Sequence, residues 1–124
     1  MLKSALLVGA GIAIGTGAIH GLHAATGAPV YTVYEAKIAD EASYTKALPE
    51  VEKYIKENGG TRVGGGFNKT KLISGSPAVG NRYVIVRWEN EGAFTKAMDA
   101  GLKAWIDKNG NGARQILVEG VEAK

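Results

Sequence analysis

Two hydrophobic rhythms alternate along this chain of 124 residues and divide it into segments. Residues 30–38 (VYTVYEAKI) are dense in β-branched and aromatic side chains, with apolar positions on both alternating faces, which predicts a strand covered on both sides. The period then changes. Tyr44, Ala47, Leu48, Val51, Tyr54 and Ile55 recur at intervals of three or four, the apolar stripe of a helix. Asp40 stands where an N-cap belongs, and Glu41 suits the first turn. Pro49 lies inside the stripe and predicts a kink. Asn58, Gly59 and Gly60 end the helix with residues that tolerate a left-handed backbone, Gly60 being assigned that conformation. Two short strands, 61–63 and 71–74, are predicted around Gly64, Gly65 and Gly66. Residues 82–88 (RYVIVRW) are the clearest strand. A second helix starts at Glu89 or Asn90, carries Phe94, Ala97, Met98, Leu102, Trp105 and Ile106 on one face, and stops at 109–112. A last strand follows at 114–119.

The order β-α-β-β-β-α-β on so short a chain predicts an α+β fold, a ferredoxin-like sandwich with an antiparallel sheet and two helices on one face. The central strand is apolar on both faces, Tyr83 and Ile85 on one side against Val84, Val86 and Trp88 on the other. Two helices cover one face, so the other is expected to meet a second copy. The sheet is therefore predicted to form a homodimer interface. Residues 29–122 resemble the family called domain of unknown function 1330, of the dimeric α/β-barrel group. The resemblance is carried by the opening strand, the proline-containing helix and Gly59-Gly60. Arg82-Tyr83-Val84-Ile85-Val86 with its following aromatic and helix also match, as does the closing Leu117-Val118-Glu119-Gly120. Gly64 and Ser74 stand where that family usually has arginine and glutamate. The resemblance implies a fold and a dimer, and no reaction.

The N-terminal 25 residues follow a third pattern. Lys3 precedes an uncharged stretch from Ser4 to Ile19, and small residues follow around Ala24 and Ala25, the layout of a secretory signal peptide. The predicted organisation is a leader at 1–25, a linker at 26–29 and an α+β domain at 30–122, placed in the periplasm or secreted. The alternative is a retained membrane anchor with the domain outside the cytoplasm. Gly11 and Gly15 form the G-x-x-x-G spacing of packed membrane helices, although the dense apolar run is short of the roughly 20 residues a span needs.

Composition narrows the chemistry. The chain holds 15 Lys and Arg against 12 Asp and Glu, net +3, falling to +2 without Lys3, and the signs are interspersed. Nucleic acid is therefore not an expected partner. There is no cysteine, and both histidines, His20 and His23, lie in the leader. Cleavage leaves neither residue type, so no catalytic constellation is visible, and neither a cofactor nor a metal is expected. In a retained anchor the two imidazoles, about a helical turn apart, would suit a metal or tetrapyrrole. The triple glycine lacks the Lys-Ser/Thr pair and the helix that a phosphate loop requires, and reads as a bulged β-connection. Asp107, Asn109 and Asn111 match the first half of a calcium loop, but position twelve is Val118, so a helix-stop loop is the reading.

What remains is a small-molecule pocket between sheet and helices. An arginine there would hold a carboxylate, and aromatics would stack a ring. Arg62, Arg82, Arg87 and Glu119 lie on strands, with Tyr34 and Trp88 close by. The residues assigned to the pocket are Arg62, Arg87, Trp88, Tyr34 and Glu119. An accessory subunit of a membrane complex and a cofactor-independent enzyme on a dimeric barrel are the alternative functions.

Overall fold

The computed structural model describes residues 27–77, 80–110 and 112–120; the leader, His20 and His23 and the G-x-x-x-G element lie outside them, as does Asn111. The fold is mixed α+β, a four-stranded antiparallel sheet with two helical segments. Strands β1 (Val30–Ala36), β2 (Gly60–Phe67), β3 (Arg82–Trp88) and β4 (Arg114–Glu119) stand in the order β2-β3-β1-β4. Helix α1 (Glu41–Glu57) joins β1 to β2. The second segment, α2 (Glu91–Ala97) and α3 (Lys103–Asn109) with a wide turn at Met98–Leu102 between them, joins β3 to β4.

Strand alternation sorts the side chains into two faces. Val30, Tyr34, Ala36, Val84, Val86 and Trp88 are buried, together with Tyr44, Val51 and Ile55 of α1 and Ala97, Leu102 and Trp105 of the second segment. These form one core. Trp88 anchors it: 1 % exposed, it donates its indole N–H to Thr32 Oγ1 at 2.9 Å and meets Phe94 edge-on at 5.5 Å. Pairing of the indole N–H is what lets so large a side chain sit in a dry layer. The opposite parity forms the outer face. There β1 and β3 place Tyr31 beside Arg87, Val33 beside Ile85 and Glu35 beside Tyr83. Strand β4 adds Ile116 and Val118, which are 51 % and 46 % exposed.

Local chemistry accounts for the helix ends. Asp40 caps α1 by accepting from the Ser43 N–H at 3.0 Å, and Asn90 caps α2 by accepting from the Ala93 N–H at 2.8 Å. Pro49 lies inside α1. The left-handed residue after α1 is Gly59 (φ +82) and not Gly60. Gly60 is required for another reason: a Cβ there would stand 2.7 Å from Ile55 and 2.8 Å from Trp88. The break between α2 and α3 falls at Gly101 (φ +149), where a Cβ would strike the Tyr54 ring at 2.5–2.8 Å. The turn thus brings the two helical segments close together.

Residues 61–67 correct one expectation. Instead of two short strands around a glycine bend, β2 continues through Gly64–Gly66 to Phe67, with a register shift between Arg62 and Gly64 that leaves Val63 as the extra residue. A tight or bulged β-connection is what the glycines predict, and the structure has the bulge while the strand runs on through it. The predicted strand at 71–74 does not form. Leu72 and Ile73 are 51 % and 83 % exposed and no other strand pairs with them. Without a hydrogen-bonded neighbour, β propensity alone does not make a strand.

Candidate functional site

Four elements converge on one side chain. Arg82 opens β3 with the parity of Val84, Val86 and Trp88, which directs it under the helices, and it is 4 % exposed. Phe67, its register partner on β2, and Tyr44, from the first turns of α1, both face it. The guanidinium carbon lies 4.8 Å from the Phe67 ring centroid and 5.4 Å from that of Tyr44. Tyr44 is itself held edge-on by Phe67 at 5.5 Å and by Trp105 at 5.3 Å. Trp105 is fixed in turn by its N–H to the Ala47 carbonyl, 3.1 Å.

Asn81, the residue before, explains why β3 begins where it does. Its side chain accepts from the Ile38 N–H at 2.8 Å and donates to the Ile38 carbonyl and the Glu41 carboxylate, both at 3.0 Å. This clamp ties the start of β3 to the segment leaving β1. Gly80 allows it, since a Cβ there would overlap the Ala36 carbonyl.

Among the described residues no carboxylate pairs with Arg82. Glu52 takes Arg62 at 2.7 Å, and Glu35 takes Arg114 on the outer face. The buried Arg82 Nε has no hydrogen-bond partner. Burying an unpaired ion costs several kcal/mol, and two aromatic faces return about 0.5–2 kcal/mol each. The guanidinium is therefore under-compensated. It borders a cavity of about 40 Å³, shared with Tyr34, Tyr44, Trp105, Gln115 and the rim pair Arg62–Glu52. The Tyr44 hydroxyl donates to the Tyr34 hydroxyl at 3.1 Å. Burial, then this hydrogen bond, pushes the Tyr34 phenol well above the ordinary tyrosine range, with Arg82 opposing. Tyr34 thus stays a neutral hydroxyl at any physiological pH.

The predicted site residues separate. Tyr34 and Trp88 line the cavity, Trp88 as a packed core side chain with no open ring face in prospect for a ligand. Arg62 lines it from a half-exposed position, committed to Glu52. Arg87 is exposed with the opposite parity, on the outer face beside Tyr31 and Thr61. Glu119 ends β4 opposite Val30 and does not line the cavity. The cavity is also too small for an aromatic ring to be stacked. The residues missed are Arg82 and Tyr44. Strand parity carried the signal for the first, because Arg82 shares its face with Val84 and Val86 while Arg87 does not.

Asp107 accepts from Lys103 at 2.9 Å and Asn109 donates to the Trp105 carbonyl at 3.0 Å, so the two described calcium-loop candidates serve the helix end. Among the described residues no cluster of His, Asp or Glu is arranged to hold a metal, and no helix is long and apolar enough to cross a membrane.

No protein-family model matches the chain, and no curated protein matches it. Among solved structures, the RPA0582 protein of unknown function from Rhodopseudomonas palustris is similar with a TM-score of 0.59 and 14% identity, over 78% of this chain and 85% of that one. The methylated RPA0582 protein gives a TM-score of 0.55 and 15% identity, over 77% and 82%. At such identities the likeness is one of fold alone.

Proposed function

We propose that the chain is a small-molecule-binding domain, working as a homodimer of ferredoxin-like units and carried outside the cytoplasm by its N-terminal 25 residues. The observation that carries binding is Arg82, a buried cation beside a cavity and without a carboxylate partner among the described residues. The apolar outer face supports the dimer: Ile116 and Val118 are about half exposed there, beside Val33 and Ile85, and no helix among the described residues covers them. A helix-free apolar sheet face is the surface a second copy would cover. This arrangement agrees with the resemblance to domain of unknown function 1330. An enzyme is the weaker reading. The pKa of Tyr34 in the cavity is displaced upward, which suits a hydrogen-bond donor and not a base.

Binding is tested by ¹⁵N NMR of the full chain against a panel of small neutral and charged compounds. Saturable shifts centred on Tyr34, Tyr44, Arg82 and Trp105 are expected; shifts confined to surface lysines would sink the reading. Sedimentation tests the dimer separately: the wild type is expected at twice the chain mass, and Ile116→Asp at the single mass with an unchanged circular dichroism spectrum. The intact mass from the native cell fraction distinguishes a cleaved leader from a retained anchor.

A further inference from the structure

We infer that the Arg82 cavity takes a monoanion of about three or four non-hydrogen atoms, a small carboxylate of the size of formate or acetate. The inference deepens the binding reading and rests on it. Charge is the first argument. Glu52 and Glu35 are committed to Arg62 and Arg114, so among the described residues no carboxylate stands against the Arg82 cation. Ring faces attract a cation but accept no N–H bond along the guanidinium edge, and it is the edge Nε that is unpaired. A carboxylate is the anion whose two oxygens match that edge.

Size is the second argument. A site for one water needs roughly 10–15 Å³, so about 40 Å³ corresponds to some three such positions. Formate fills that number with its three heavy atoms, and acetate requires a slight adjustment. Benzoate and other ring acids are too large, and a single cation does not balance a phosphate dianion. The neutral groups agree with this. The Tyr34–Tyr44 hydroxyl pair and the Gln115 amide border the same space and can donate to a second oxygen, while Val84 and Trp105 exclude a larger hydrated ion.

The test follows the Arg82 Nε–Hε resonance and the melting temperature of the full chain. Sodium formate and sodium acetate are titrated against formamide, acetamide, sodium benzoate and sodium chloride at matched ionic strength. Formate is expected to saturate, to move the Nε–Hε signal downfield, and to bind at least tenfold more tightly than formamide. Arg82→Lys, which keeps the charge but loses the fork, is expected to weaken formate at least tenfold. The wild-type panel stands alone if that variant does not fold. Equal potency of formamide and formate would overturn the anion inference while leaving a cavity that binds small molecules. Benzoate acting as well as formate at the same resonance would overturn the size argument. No saturable effect from any compound would overturn both this inference and the binding reading.

Discussion

Replacing Gly65 by alanine asks β2 to carry a side chain where the backbone of β3 already stands. Gly65 pairs with Val84 in the sheet at φ +101. A Cβ there would overlap the Tyr83 carbonyl oxygen and lie 2.7 Å from its carbon and 2.9 Å from the Val84 Cα. These are backbone atoms of a central strand, so no rotamer change relieves the overlap; β2 must lift away. The left-handed backbone costs an alanine about 1–2 kcal/mol, and two ladder hydrogen bonds lost with the lift cost about 1 kcal/mol each. The sum is about 3–4 kcal/mol. For a domain of this size each kcal/mol lowers the melting temperature by about 4–8 °C, so thermal unfolding by circular dichroism should show a drop of about 12–32 °C. Gly75→Ala is the control. That residue also has a positive φ (+89) but has nothing within 4 Å of an added Cβ, so only the backbone cost applies, about 4–16 °C. If Gly65→Ala melts within 3 °C of the control, the close approach of β2 to β3 is wrong.

Three further outcomes follow from particular groups. The Tyr34 phenol is raised in the folded chain, so its contribution is complete below pH 10 and is lost as pH climbs toward the folded value; wild-type stability should fall by about 1.4 kcal/mol per pH unit above 10 from this group. Urea denaturation of Tyr34→Phe should lack that increment, and an unchanged alkaline slope would refute it. The Asp40 carboxyl is lowered first by the Ser43 backbone N–H and then by the Ser43 hydroxyl, so Asp40→Ala should destabilise at pH 7, with the difference vanishing as pH drops through the folded Asp40 value. A pH-independent difference between pH 2 and 7 would contradict the cap. Arg62→Ala removes an ion pair whose side chains are 33 % and 40 % exposed, and should cost less than about 1 kcal/mol; a loss above 3 kcal/mol in the same assay would mean that Arg62 is no rim residue.

The sequence disclosed periodicity better than register. Helix α1 was legible because its stripe, its Asp40 cap and its glycine stop agree with one another, and β3 because RYVIVRW alternates without interruption. The glycine run was harder to read. Gly64–Gly66 carries no side-chain pattern, so whether the strand ends or bulges there depends on Tyr83 and Val84 across the sheet, which sequence spacing does not reveal. Leu72 and Ile73 have strand-forming side chains but no neighbour. The site was half legible for the same reason. Tyr34 and Trp88 follow from strand parity, and parity applied to 82–88 also separates Arg82 from Arg87. The Tyr44 ring over Arg82 is set by how α1 crosses the sheet, a tertiary fact. Glu119 has the parity of the helix-covered face, yet it lies at the far end of β4 from Gln115, the β4 residue that borders the cavity.

The strand order has a kinetic side. The first strand, β1, is flanked by β3 and by the last strand, β4, with Val30 paired to both Trp88 and Glu119. Almost the whole domain must therefore have emerged before its central strand gains its second neighbour, and both loops that close around β1 are long. Such non-local closure slows folding relative to a helical bundle of equal length. A chain threaded through a membrane from its N-terminus would arrive with β1 first and β4 last. It would stay unpaired along one edge of β1 throughout its passage, which is the state a translocating machine requires of its cargo.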